Sequence, residues 1–252
     1  MQLNKSPKIR LDSLLVEKGL VQSRERAKSL IMAGNVLIDG FVIDKVGVKV
    51  KSDAVISIKG EDIPYVSRGG LKLAKALSHL SIDVNGMTCL DIGASTGGFT
   101  DCLLQAGADK VYAVDVGYGQ IDWSLRQNPK VVVIERTNIR YMPYEIIGQS
   151  VDLITIDTSF ISLKLVVPAA EKFMNAKTLT LALIKPQFEA GKEKIGKGGV
   201  VRDPVLREEI VKEVELFFKQ RGYETGEIIE SPIKGPKGNV EFIISMRYLN
   251  TV

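Results

Sequence analysis

The chain has 252 residues, 45% apolar, 25% charged and 6% aromatic, a composition that excludes wholesale disorder and allows one sizeable core with a small second one. Its apolar runs, such as residues 179–184, fall well short of the roughly 18 residues of a membrane span, and the polar start MQLNKSPKIR lacks a signal-type apolar region, so neither a membrane protein nor a secreted one is expected. Two cysteines, Cys89 and Cys102, cannot build a disulfide framework, and one histidine, His79, cannot build a multi-histidine metal site, which leaves a reducing cytoplasm, no bound metal, and chemistry run on Lys, Asp and Glu as the expectations.

Charge is unevenly spread. Residues 1–60 hold 11 Lys and Arg against 6 Asp and Glu, and the remainder 23 against 24. This asymmetry predicts a polyanion-binding module over residues 1–60, a short linker over 61–67 and a near-neutral body over 68–252. In chain order, Ile9, Leu11, Leu14 and Leu15 are spaced for the apolar face of a first short helix, Gly19 ends it, and Ser23 caps a second. In RERAKSLIMAG, Ala27, Leu30 and Ile31 face inward while Arg24, Arg26 and Lys28 project toward solvent. NVLIDG, VIDKVGVKV and AVISIK, punctuated by Gly40 and Gly47, then predict small strands, making the module a compact α+β unit.

The stretch RLDSLLVEKGLVQSRERAKSLIMAGNVLIDG closely resembles the small RNA-binding module of a ribosomal small-subunit protein, a module also fused to bacterial pseudouridine synthases and tyrosyl-tRNA synthetases. The resemblance implies that Arg10, Ser23, Arg24, Lys28 and neighbouring cations such as Arg26 lie against RNA phosphates. Aromatic groups are scarce here, so shape and backbone contacts are expected to dominate over base stacking.

From Met87 onward, short apolar runs alternate with helical stretches: TCLDIG, VYAVDV, VVVIE, VDLITID and LTLALIK. That pattern predicts a doubly wound, Rossmann-like α/β sheet whose ligand sits past the carboxyl ends of the strands. EIIES and NVEFIISMRY are expected as an antiparallel edge pair, His79 as a helix-surface residue, and both cysteines as core. The first run ends in DIGASTGGFT, a glycine-rich turn leading into a helix that starts near Phe99. A dinucleotide site would show Gly-x-Gly-x-x-Gly, whereas this turn is Gly-x-x-x-Gly-Gly preceded by an acid. Asp91 would repel a pyrophosphate but can accept from the ammonium of an amino-acid cofactor, and Asp115, 22 positions beyond Gly93, can hold both hydroxyls of a ribose. Together they predict S-adenosylmethionine, cradled by Gly93, Ser95, Thr96, Gly97, Gly98 and Phe99, with Asn138 or Ile139 near its adenine.

Asp157 ends the fourth run and Lys185 the fifth, on the same rim; a lysine there loses hydration unless a carboxylate compensates. Lys72 and Glu241, taken alone, read as surface charges. The motifs SRGGLKL, DIGASTGGFTD, IDTSFISL, IKPQFE and GNVEF, in this order, resemble those of TlyA-type proteins, bacterial ribosomal-RNA 2′-O-methyltransferases sometimes labelled hemolysins, whose catalytic domain is of FtsJ type. The resemblance spans essentially the whole chain, with SRGGLKL a variant spelling of the family's entry helix. It implies methylation of ribose in ribosomal RNA, ribosomal RNA or ribosomal subunits as partner, and a Lys-Asp-Lys-Glu tetrad on Lys72, Asp157, Lys185 and Glu241, the acid also bordering the cofactor. Arg68 of SRGGLKL joins the residues expected against RNA.

Such a tetrad suits an alcohol of pKa about 12 or higher, which must be aligned with the sulfonium methyl and lose its proton as the bond forms. Lys185 serves as general base or as an orienting group, a choice the sequence leaves open. QFEAGKEKIGKGGVVRD, directly after it, is expected as a mobile lid over RNA and GPKGN as a second mobile rim. An assembly factor that has lost catalysis is the main alternative, and a membrane-damaging hemolysin a weaker one, because no amphipathic or spanning segment stands outside the α/β pattern.

Overall fold

The computed structural model describes residues 6–21, 24–32, 34–59, 63–191, 195–196 and 198–249. The chain divides into two units, residues 1–62 and 63–252.

In the first unit, β1 (Lys8–Arg10) pairs antiparallel with β4 (Lys49–Lys51), and β2 (Val36–Ile38) lies between β3 (Phe41–Ile43) and β5 (Ile56–Ile58). Helices α1 (Leu11–Glu17) and α2 (Arg24–Met32) pack together through Leu11, Leu14, Leu15, Ala27, Leu30 and Ile31. One sequence expectation shifts: Ile9 belongs to β1, opposite Val50, because the helix begins only at Leu11. It still packs against the same core. Gly19 follows α1 at φ +67°, a left-handed stop that glycine takes without a Cβ penalty. Ser23, expected as a cap and RNA contact, lies outside the described residues.

The second unit is built on a seven-stranded sheet in the order β11-β12-β10-β9-β6-β7-β8. Strands β6 (Thr88–Ile92), β7 (Lys110–Val114), β8 (Val131–Ile134), β9 (Leu153–Ile156) and β10 (Leu179–Ile184) run parallel to their neighbours among themselves. β12 (Phe242–Tyr248) is antiparallel to both β10 and the edge strand β11 (Tyr223–Glu230). The parallel strands read as unbroken apolar runs because both faces are covered. Alternate residues serve the two layers. Leu90, Ile92, Ile154 and Ile156 join the core under α6 (Leu163–Ala170) and α8 (Pro204–Gln220); Cys89, Leu153, Leu181 and Leu183 join the one under α3 (Gly69–His79) and α4 (Gly98–Gln105). Cys102 lies in that second layer too, and burial pushes both thiols up to about 12.

Residues 63–67 lie against α3 and α4. The Val66 N–H donates to Asp101 at 2.8 Å, Gln105 donates to the Pro64 carbonyl at 2.8 Å, and the Tyr65 ring closes over Gly70. His79 ends α3 half-exposed, with Nε2 2.9 Å from Glu227. Among the described residues, no helix is long and apolar enough to cross a membrane.

Candidate active site

Sheet register builds the site. Ile184 pairs with Phe242 at the end of the β10–β12 ladder, so the next residues, Lys185 and Glu241, leave the sheet side by side. Ile156 pairs with Ile92, which brings Asp157 beside Gly93. Gly93 has φ +86°, and a Cβ there would stand 2.7 Å from the Asp157 carbonyl oxygen, so only glycine lets the two strand ends approach this closely. Lys72 arrives from the first turn of α3, whose opening glycines, Gly69 and Gly70, lie against Ser67, Phe99 and Tyr65.

These four side chains form one line of alternating charge. Lys72 Nζ is 2.7 Å from Glu241 Oε2 and 3.4 Å from Asp157 Oδ2; Lys185 Nζ is 2.5 Å from Asp157 Oδ1. Lys185 Nζ also donates to Ser159 Oγ at 3.1 Å. Both lysines and Glu241 are buried. A lysine buried without a carboxylate would forfeit its hydration, and here each has one.

The quartet lines a cavity of about 1170 Å³, above the roughly 300–1,000 Å³ usual for small-molecule sites. One wall is the turn after β6, with Gly93, Ser95, Thr96, Gly98 and Phe99. Further lining comes from the segments that follow β9 and β10 and precede β12, with Ser159, Phe160, Gln187, Phe188, Gly199 and Asn239 among its residues. Three cations, Arg68, Lys234 and Lys237, stand around it, and Arg68 Nη2 donates to the Lys234 carbonyl at 3.4 Å. Phe160 is 90% exposed at φ +63°, and its ring centroid lies 5.0 Å from that of Phe188. An apolar ring held in a left-handed backbone at the edge of a cavity is a strained feature of the kind that collects at functional sites.

Five residues expected at the cofactor lie off the cavity wall. Asp91 is fully buried and points into the sheet layer, accepting from Thr100 Oγ1 at 2.7 Å and Thr155 Oγ1 at 3.1 Å. Burial pushes its carboxyl up to about 7. Gly97 faces Leu125 and Ile121. Asp115 is partly exposed, but its oxygens already accept from the N–H groups of Ser95 (2.8 Å) and Gly117 (2.7 Å). Asn138 accepts from the Arg140 N–H at 3.0 Å, and Ile139 is buried in the core. The strand-end rule located these residues but not their rotamers, which the local hydrogen bonds decide.

In the first unit, Arg10 and Arg24 converge on Asp12, a fully buried carboxylate, at 3.0 and 2.9 Å. The hydrogen bonds from Arg10 and Arg24, with their charges, hold its carboxyl well below the usual range, and both guanidinium groups remain about half exposed. Arg26 and Lys28 lie on the same helix α2, partly buried and engaged with neighbours. Sequence reasoning missed Asp12. It also missed Ser159, Phe160, Gln187, Phe188 and Asn239, which stand within three residues of Asp157, Lys185 or Glu241. Extending the strand-end rule by one turn would have found the first four; Asn239 precedes β12, and only the antiparallel pairing of that strand with β10 brings it to this rim.

The family described as FtsJ-like methyltransferase matches residues 65–248, and the S4 domain matches residues 9–56. Among curated proteins, the chain is 48% identical to YqxC of Bacillus subtilis (strain 168), a candidate rRNA methyltransferase by name, over 96% of this chain and 87% of that one. It is 46% identical to the 16S/23S rRNA (cytidine-2'-O)-methyltransferase TlyA of Mycobacterium tuberculosis, over 94% of this chain and 89% of that one. A solved structure from Streptococcus thermophilus, described as a candidate hemolysin, superposes with a TM-score of 0.75 at 44% identity, covering 97% of this chain and 90% of the other. With the methyltransferase match covering the whole second unit but its ends, and both relatives aligned over 94% of this chain or more, the chain belongs to the FtsJ-like methyltransferase family and carries an S4 domain ahead of that unit in the sequence.

Proposed function

We propose that the chain methylates the 2′-hydroxyl of a ribose in ribosomal RNA, taking the methyl group from S-adenosylmethionine. The observation that carries this reading is the Glu241–Lys72–Asp157–Lys185 line on the wall of a cavity large enough for a cofactor and a nucleoside together. The activity for which the TlyA relative is named, rRNA (cytidine-2'-O)-methylation, supports the substrate class.

The residues fit the cofactor: Gly93, Ser95, Thr96, Gly98 and Phe99 would hold it on the glycine wall, where the close approach of Gly93 to Asp157 leaves a surface of backbone and hydroxyl groups. Asp115 and Asn138 stand at the adjoining strand ends, where a ribose and adenine would extend, and Asp91 braces the turn from beneath through Thr100. When bound, S-adenosylmethionine supplies a methyl group on an electrophilic sulfonium. Lys185 would hold the ribose hydroxyl oxygen in line and, having first released a proton of its own to solvent to become a neutral amine, would take the hydroxyl proton as the new O–C bond forms and the donor's S–C bond breaks. Asp157, in contact with both lysines, stabilises an ammonium at Lys185 and is itself fixed by Lys72, which Glu241 anchors from below. Phe160 and Phe188 offer an apolar face to a base taken out of its stack, and the cations Arg68, Lys234 and Lys237 offer partners for the flanking phosphates. The S4 unit supplies further RNA contacts through Arg10, Arg24, Arg26 and Lys28.

The test is methyl incorporation from a tritiated donor into ribosomal RNA, with the products mapped for 2′-O-methylation. Lys185→Ala is expected to lose about 10²-fold or more in rate. Equal incorporation by wild type and variant would sink the assignment.

A further inference from the structure

The cavity lining includes parts of two glycine-containing segments, residues 198–201, which fall within the 187–203 stretch expected as a mobile lid, and residues 235–239, expected as a second mobile rim. They are fastened to each other. Asn239, only 4% exposed, donates from Nδ2 to the Gly199 carbonyl at 3.1 Å, and its Oδ1 accepts from the Val201 N–H at 3.3 Å. Lys237 Nζ adds a bond to the Gly198 carbonyl at 3.0 Å. A carboxamide is suited to this bridge because it carries a donor and an acceptor in one plane.

The same loop reaches the catalytic line at both ends. Asn239 lies two residues before Glu241, and its own carbonyl accepts from the Gly235 N–H at 2.8 Å. That bond folds Gly235 onto the Glu241 carboxylate so closely that no side chain fits between them. Glu241 Oε2 in turn holds Lys72 at 2.7 Å. A shift of the 198–201 loop therefore reaches Glu241 and Lys72 through Asn239.

Resting on the RNA-methylation reading above, we propose that the two loops work as one jaw over the nucleoside half of the cavity, with Asn239 as the positioning residue that ties the seating of RNA on the 198–201 loop to the placement of Glu241 and Lys72. Asn239 touches no reacting atom in this scheme. It acts through the geometry of the two groups beyond it, and misplacement of reacting groups by about 1 Å is enough to cost on the order of 10²-fold in rate.

Asn239→Ala and Asn239→Asp are compared with wild type as full chains, by kcat and KM for methyl transfer to ribosomal RNA, by calorimetric binding of S-adenosylmethionine, and by amide hydrogen exchange over residues 198–206. Asn239→Ala is expected to exchange faster at Val201 and to lose about 10- to 100-fold in kcat, with donor affinity within about twofold of wild type. Asn239→Asp keeps the acceptor for Val201 but sets a buried carboxylate oxygen against the Gly199 carbonyl, so its loss in kcat is expected to match or exceed that of Asn239→Ala, and whichever variant folds carries the comparison. Wild-type kcat despite faster exchange overturns the proposal, as does a loss confined to donor affinity. If wild type itself transfers no methyl group to RNA, the methylation reading fails instead; the exchange measurement still stands, and unchanged protection at 198–206 in Asn239→Ala removes the latch on its own.

Discussion

Two residues show how the surroundings of a side chain, more than its type, set what it does. Phe160 exposes nine-tenths of an aromatic ring beside a buried ion-pair line, a position that costs hydration and yields no core packing. Its replacement by alanine should leave the melting temperature nearly unchanged and raise KM for RNA about 10-fold, since one base–aromatic stack contributes roughly 1–3 kcal/mol. A lower melting temperature with unchanged KM would make Phe160 a packing residue. Asp91 is the opposite case, a carboxyl so enclosed that burial pushes it up to about 7 even though two threonine hydroxyls donate to it. In the unfolded chain it ionises near pH 4, whereas in the fold it stays protonated until about pH 7, so its contribution to stability falls as pH rises across that interval. Asp91→Asn lacks this titration. The melting-temperature difference, variant minus wild type, should grow more positive from pH 4 to pH 8, and a pH-independent difference would show that the carboxyl ionises normally. Neither feature was legible in the sequence, because both depend on which way a side chain turns at the end of a strand.

At the scale of elements, the apolar runs and their ends carried most of the information. A strand buried on both faces has to read as continuous Val, Ile and Leu, and the chain leaves the sheet where polar residues return, which is why Asp157 and Lys185 were readable as rim groups. Glu241 was not, since a charge before a C-terminal strand looks like any surface charge until β12 is known to run antiparallel beside β10. Gly93 links these elements physically. Its alanine variant would force a Cβ against the Asp157 carbonyl from a left-handed backbone, and should cost about 1–3 kcal/mol in urea unfolding. Methyl transfer should fall by more than the stability loss explains, because Asp157 is the group displaced. Full activity in the folded variant would show that the approach of the two strand ends is incidental.

For the whole molecule, the question is how an excess of cations in one unit serves chemistry in the other. Arg24 and Arg10 are held on Asp12 with half their surface open, so their charges are presented at fixed positions. If they meet phosphates, Arg24→Ala should weaken RNA binding similarly across sequences and reduce the slope of log K against log salt by about 0.7–0.9. An unchanged slope would remove Arg24 from the interface. The sequence by itself determined the two-part organisation, the parallel sheet, the glycine turn and the rim positions of Asp157 and Lys185, because composition, hydrophobic period and strand termini are local properties of a chain. Only the tertiary structure decided that Lys72 and Glu241, 169 positions apart, share a 2.7 Å contact, that Asp91 turns inward, and that Asn239 binds two loops together. Those outcomes follow from strand order and from the pull of buried polar groups toward partners, and even Asp91 and Thr100, nine positions apart in one motif, meet only because the turn between them folds back.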